Sequence, residues 1–354
     1  MKWSAFVQLA CLTVLAQCTK VSDEVQAGYH VIYSYPGLEP PAKLLDLIQQ
    51  GKVGGVLLSP SNIDHNVVDV VKTFQDTYAK SPAYAGVPML IVTNQEGGQN
   101  NQVPGGPPFT AKDIGNSKHQ WITASKAGKE AADAMKAAHA NTNLAPVLGV
   151  YREAGDFLDQ AERSFSDHAS TVLECVTPWI YAQQAGGVIA TAKHYPGLGM
   201  APANESTDYD PVTIDAPLHI LRSVDEVPYF GAILAGVDMV MPSWAIYPSM
   251  DSKPAGMSRV WLQDELRGRL GFRGVIVCDS IEAGALESFG DYSKRAVLAT
   301  QAGADLILSA WMVVENGEDV VDGLVTALKD GSVSRRDFEA ASERILNLRK
   351  KVQA

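Results

Sequence analysis

Apolar and polar positions follow two rhythms along the chain. Short, nearly continuous apolar runs of strand length occur at 30–35, 55–59, 89–94, 143–148, 188–194, 239–242, 275–279 and 305–309. Between them lie stretches with apolar residues three and four positions apart, at 41–50, 67–80, 123–139, 170–184, 224–235, 260–270 and 294–302. The first rhythm is that of strands buried on both faces, and the second is that of helices with one apolar stripe. Segment 320–329 continues the alternation after the eighth run, and 335–351 reads as a further amphipathic helix. Eight strands, each followed by a helix, predict an α/β fold of the (β/α)8 TIM-barrel kind with an extra C-terminal helix. The rival is an open doubly wound sheet. No Gly-x-Gly-x-x-Gly turn follows the first strand, and eight βα units fit closure better. No composition break divides the chain, so residues 19–354 are expected to form a single barrel domain.

The first residues break this pattern. Lys2 supplies a positive start, and Trp3 to Leu15 is mostly apolar and uncharged. The run is short for a membrane span and has the length of a signal-peptide core, so residues 1–18 are expected to direct secretion. Two alternatives stand beside this reading. One is an apolar helix packed on the domain. The other is a bacterial lipoprotein anchored through Cys18, to which Gln17 is poorly suited. No later stretch approaches about 18 uninterrupted apolar residues, so no membrane insertion of the mature chain is expected. Outside the leader only Cys175 and Cys278 remain, one in a helical pattern and one in an apolar strand. They are expected to be two buried thiols. Asn204-Glu205-Ser206 is an Asn-x-Ser sequon, which makes Asn204 a candidate glycosylation site.

Composition and charge narrow the picture only a little. The chain has 354 residues, 46% of them hydrophobic, and 40 acidic against 29 basic side chains. That is the composition of a folded protein. A net charge of −11 argues against a nucleic-acid groove or an anionic membrane surface as the main partner. Oligomeric state is left open.

In a barrel, polar residues at the carboxyl ends of strands are the first suspects for chemistry. Period-two alternation puts Asn94 on the face of Leu90 and Val92, and Asp279 on the face of Val275 and Val277. The fifth strand ends in Lys193-His194. The two longest irregular connections, 95–108 and 197–217, both follow strands and belong on the same rim. Each residue alone also has a plainer reading. Asp279 is equally suited to cap the next helix, Lys193 to pair with a barrel carboxylate, and His194 to pack in the wall. Arg163 is ambiguous in isolation.

Taken together, the segments resemble a known family. Lys193-His194-Tyr195-Pro196-Gly197-Leu198-Gly199 is similar to the Lys-His-Phe-Pro-Gly-x-Gly signature of family 3 glycoside hydrolases, closest to the single-barrel β-N-acetylglucosaminidase branch. Gln95-Glu96-Gly97-Gly98, Ala145-Pro146-Val147-Leu148 with Glu162-Arg163-Ser164-Phe165, and the run from Leu270 to Asp279 resemble further segments of that branch, in order and at similar spacing. The resemblance implies a secreted retaining exo-β-glycosidase acting on terminal N-acetyl-β-D-hexosaminides. Asp279 matches the nucleophile, which forms a glycosyl–aspartate ester. Asn94, Glu96, Arg163, Lys193 and His194 match substrate-binding positions. No cofactor is implied, and no group of His, Asp or Glu has metal-ligand spacing.

The departures from the family pattern bear on catalysis. The branch carries an Asp-Ser-His triplet in the loop after Lys-His, whose His is the acid/base. Here the corresponding stretch is Asn204-Glu205-Ser206, without a His. The strand-three Asp is replaced by Asn94 and the loop Arg by Gln99. Glu205 and Asp208 are the candidate acid/base carboxylates. Two other readings follow from the same departures: a carbohydrate-binding pseudoenzyme that lacks an efficient acid/base, and a β-glucosidase or xylosidase of the same fold.

Overall fold

The computed structural model describes residues 21–352. The expected leader, with Cys18, lies outside the described residues. Eight strands form one parallel sheet: β1 (Val31–Ser34), β2 (Gly55–Leu57), β3 (Leu90–Thr93), β4 (Thr142–Asn143), β5 (Thr191–Tyr195), β6 (Met239–Pro242), β7 (Val275–Ser280) and β8 (Leu306–Leu308). Their order is β4-β3-β2-β1-β8-β7-β6-β5. The seam between β4 and β5 is closed by parallel bridges at Thr142–Ile189 and Val147–Lys193. The predicted (β/α)8 barrel is therefore the fold.

Alternation along each strand divides the core in two. Ile32, Leu90, Val92, Met239, Met241, Val275, Val277, Leu306 and Leu308 fill the barrel interior. Their neighbours Ile91, Val240, Ile276 and Ile307 belong to the outer core, against the helices. Both faces of the sheet are thus buried, which is why the strands read as unbroken apolar runs. Cys175 and Cys278 are buried and unbridged.

The C-terminal helix Arg335–Arg349 closes the amino-terminal mouth of the barrel. Ile345, Leu348 and Val352 pack into the interior cluster. Arg349 is fully buried, donates to Tyr78 Oη at 2.8 Å and lies over the rings of Tyr29 and Tyr78. Arg344 pairs with Asp305, at the start of β8, at 2.7 Å. With this end plugged, substrate access is left to the opposite rim.

The structure differs from the sequence reading at three places. Regular β4 covers only Thr142–Asn143, and the rest of the expected 143–148 run continues as isolated pairing, with Leu144 N–H donating to Thr93 O and Leu148 N–H to Lys193 O, around Pro146, which has no N–H to donate. A helix at Asp23–Gly28, capped by Ser22 Oγ, precedes β1. The helix after β8 begins at Val314, before the expected 320. Gly317 hides that start, since glycine disfavours helix. It is needed there because a Cβ would lie 2.3 Å from the Tyr33 ring.

Candidate active site

Inward alternation carries Asn94 and Asp279 to the carboxyl-terminal rim, one residue pair beyond the last apolar layer of β3 and β7. Lys193 and His194 are neighbours on β5, and strict alternation would point them apart. The register of β5 on β6 shifts between Lys193 and Tyr195. Such an irregularity re-aims side chains, and both residues reach the same site.

Glu96 is the hub of a buried ion cluster. Its two oxygens accept from Arg163 Nε and Nη2 at 2.8 and 2.9 Å. Lys193 Nζ lies 2.7 Å from Glu96 Oε1 and donates to Asn94 Oδ1 at 2.8 Å. Burial alone would push the Glu96 carboxyl up, but the Arg163 and Lys193 cations outweigh it and hold the group well below the usual carboxylate range. Arg163 follows Glu162, whose backbone is left-handed (φ 54°). Glu96 sits on the loop 95–108, which Gln95 pins from within. Gln95 Oε1 accepts from the N–H groups of Gln102 and Val103 at 3.1 Å each, and Gln95 Nε2 donates to Gly106 O at 2.9 Å. Gln95 carries no signal of that role beyond its place in the Gln-Glu-Gly-Gly match. The resemblance counts Glu96 among sugar-contacting residues, yet both of its oxygens are already engaged by the cations. These contacts orient Arg163 and Lys193 on the rim.

Asp279 lies beside this cluster. Its Oδ2 is 3.8 Å from His194 Nε2, and the side chain is 21% exposed. Its Oδ1 accepts from the Ser280 N–H at 2.7 Å. Burial, and then the nearby Asp208 charge, push its carboxyl up to about 6, against the opposing pull of that N–H, Lys193 and Arg163. His194 is held well below its usual value by burial and by the Lys193 and Arg163 cations, so it is a neutral imidazole. Its Nδ1 is buried with no hydrogen-bond partner among the described residues. A neutral ring with one unpaired nitrogen is suited to a hydroxyl or amide of a ligand.

The part of the loop 197–217 that holds the candidate acid/base residues is docked on either side of Glu205. Phe157 N–H donates to Ala201 O at 3.2 Å, and Gln160 Nε2 donates to Ala203 O. Farther on, the N–H groups of Gly284 and Ala285, just past β7, donate to Asp208 O and Thr207 O at 2.8 and 3.2 Å. Asp208 is exposed, and its charge acts on both Asp279 and Arg163. Glu205 is exposed, and none of the shifts described for the site residues is traced to it. Asn204 is also exposed, between the two docking points. The structure thus gathers Asn94, Glu96, Arg163, Lys193, His194, Asp279 and Asp208 around one site and gives Glu205 no comparable tie.

Residues 18–348 match the family described as glycosyl hydrolase family 3 N terminal domain. The chain belongs to glycosyl hydrolase family 3. It is 48% identical to a protein of Arthroderma benhamiae named an uncharacterized secreted glycosyl hydrolase, with 100% of both chains covered. It is 32% identical to a beta-hexosaminidase of Stenotrophomonas maltophilia over 77% of this chain and 80% of that protein. Among solved structures it is similar to a family 3 β-N-acetylglucosaminidase of Paenibacillus (TM-score 0.86, 28% identity), covering 94% of this chain but only 63% of that one. It is also similar to a β-N-acetylhexosaminidase of Beutenbergia cavernae (TM-score 0.83, 28% identity), covering 94% of this chain and 99% of that one. The chain is accordingly a family 3 glycosyl hydrolase with a carbohydrate substrate.

Proposed function

We propose that this family 3 enzyme is a secreted, retaining exo-β-glycosidase that removes terminal N-acetyl-β-D-hexosamine units. The observation that carries the reading is the position of Asp279. It stands at the tip of a barrel strand, little exposed, beside two cations and a neutral imidazole. A carboxylate raised to about 6 is ionised at neutral pH yet poorly solvated, and so is ready to attack. Attack at the anomeric carbon forms an ester to Asp279 and expels the leaving oxygen. Asp208 gives that oxygen its proton and then takes a proton from the water that cleaves the ester. Asp208 is preferred to Glu205 because its backbone is hydrogen-bonded to the segment following β7 and its charge is felt at Asp279. Lys193, Arg163 and His194 hold the sugar's hydroxyl and acetamido groups. The hexosamine preference and the secretion are supported by the named activities and location of the relatives, and the leader pattern of residues 1–18 supports secretion as well.

Kinetics on two substrates test the assignment. Asp208→Asn is expected to reduce hydrolysis of an unactivated β-linked disaccharide by about 100-fold or more, the scale of general acid catalysis. Ester formation from an aryl β-N-acetylglucosaminide with a good leaving group should change little, whereas Glu205→Gln should leave both substrates unaffected. Equal losses of kcat/KM, which reports ester formation, on both substrates would remove Asp208 from the acid role. Binding of sugar with no turnover of either substrate by the unmodified protein would make the site a carbohydrate-binding one.

A further inference from the structure

Glu282 is a buried carboxylate outside the site described above. It is 2% exposed and lies three residues beyond Asp279. Four neutral donors reach it. Ser280 Oγ donates to its Oε2 at 2.9 Å and Ser309 Oγ to its Oε1 at 2.6 Å. Ala310 N–H donates to Oε2 at 3.1 Å, and Asn316 Nδ2 to Oε1 at 3.3 Å. Three of these donors come from beyond β8, so Glu282 spans from the end of β7 to the neighbouring rim. No ion pair to it is present among the described residues. A buried anion without a cation has a high desolvation cost, and an apolar or amide side chain would fill the space at lower cost.

The backbone explains what such a tie does. The register of β7 on β8 slips between Val277 and Ser280, the stretch that contains Asp279. The slip leaves Asp279 without a register partner on β8, and the ladder resumes at its peptide with Ser280, which pairs with Leu308. That peptide supplies the Ser280 N–H, which donates to Asp279 Oδ1 at 2.7 Å. The side chain of the same Ser280 is held by Glu282. We infer that Glu282 is a positioning residue that, through Ser280, fixes the orientation of the Asp279 carboxylate, an inference that rests on the reading of Asp279 as nucleophile. Asp279 is otherwise faced by His194, Lys193 and Arg163 on one side and by the Asp208 charge on the other. The Ser280 N–H is one of the influences that keep its carboxyl from rising further.

Glu282→Gln keeps only one carbonyl oxygen, so the side chain can no longer accept from both the Ser280–Ala310 pair and the Ser309–Asn316 pair, and the bracket is broken on one side. It is expected to lower kcat by about 10- to 100-fold, the scale of a reacting group misplaced by up to about 1 Å, with KM little changed. As the Ser280 N–H loosens, the acidic limb of the kcat/KM profile moves to higher pH. Ser280→Ala removes the same tether with Glu282 in place and moves the limb in the same direction. Ser309→Ala cuts the far side of the bracket and leaves the limb in place. An unmoved limb and undiminished kcat in folded Glu282→Gln and Ser280→Ala enzymes, matched to the parent by circular dichroism, would overturn the inference. If Glu282→Gln does not fold, Ser280→Ala alone decides. Asp279→Asn separates the two claims: full turnover by that variant refutes the nucleophile itself, whereas a dead Asp279→Asn beside an unaltered Ser280→Ala refutes only the tether.

Discussion

Asp279 carries opposite consequences for activity and for stability. Its carboxyl is about 6 in the folded protein, against about 3.9 for an aspartate in an unfolded chain. The folded state therefore binds its proton more tightly. The protonated group favours folding at low pH, and that contribution is lost as pH rises through about 6. Asp279→Asn is expected to abolish turnover and, at pH 7, to raise stability by on the order of 1–3 kcal/mol. The gain should shrink as pH falls from 6 towards 4, where the parent takes up its proton. Chemical denaturation at pH 7 and pH 4.5 checks this, and a variant less stable than the parent at pH 7 contradicts it. Glu96 has the reverse sign. Held low by Arg163 and Lys193, it stabilises the fold above the pH where an unfolded glutamate ionises, about 4.3, and that contribution is lost only in strong acid. Much of this cluster is legible in the sequence. Alternation alone puts Asn94 and Asp279 on the interior face, and a motif marks Lys193, His194 and Arg163. Glu282 is not legible, because three of its four donors lie some 30 positions away, on the next strand's rim, which no local pattern reveals.

The loop 197–217 shows what an element adds to the residues on it. Its polar composition after a strand predicts a long rim connection, and that is what it is. Its docking cannot be read the same way, because the partner segments lie at 157–160 and 284–285. Gly284 makes the second docking possible: a Cβ there would lie 1.9 Å from Tyr209 O. Gly284→Ala is therefore expected to push the loop, and Asp208 with it, off the segment after β7. kcat/KM for the unactivated disaccharide should fall by about 10-fold or more, with kcat/KM for the aryl glycoside much less affected, because only ester formation from the former depends on a well-placed acid. Equal effects on both substrates would mean that the loop serves binding and not proton transfer. The same contrast runs through the rest of the fold. Strands and helices with clean periodicity are legible, whereas β4 is cut short around Pro146 and the start of the helix Val314–Asp330 is obscured by Gly317, which the Tyr33 ring requires.

At the scale of the molecule, the barrel has one closed end and one working end. The helix Arg335–Arg349 plugs the amino-terminal mouth with apolar side chains and a buried arginine. The carboxyl-terminal rim gathers every charged residue assigned a role in sugar chemistry. The net charge of −11 is spread over a surface that says little about the substrate, and what matters electrostatically is the local balance of Lys193 and Arg163 against Glu96, Asp279 and Asp208. The account stands or falls on a covalent bond to one of these groups. Incubation of the folded enzyme with a 2-fluoro or cyclophellitol-type sugar, followed by digestion and peptide mass spectrometry, measures it directly. One equivalent of label on the peptide that contains Asp279, and none in Asp279→Asn, is the predicted result. Label on another carboxylate, or an enzyme that turns over substrate while Asp279 stays unmodified, would contradict the account.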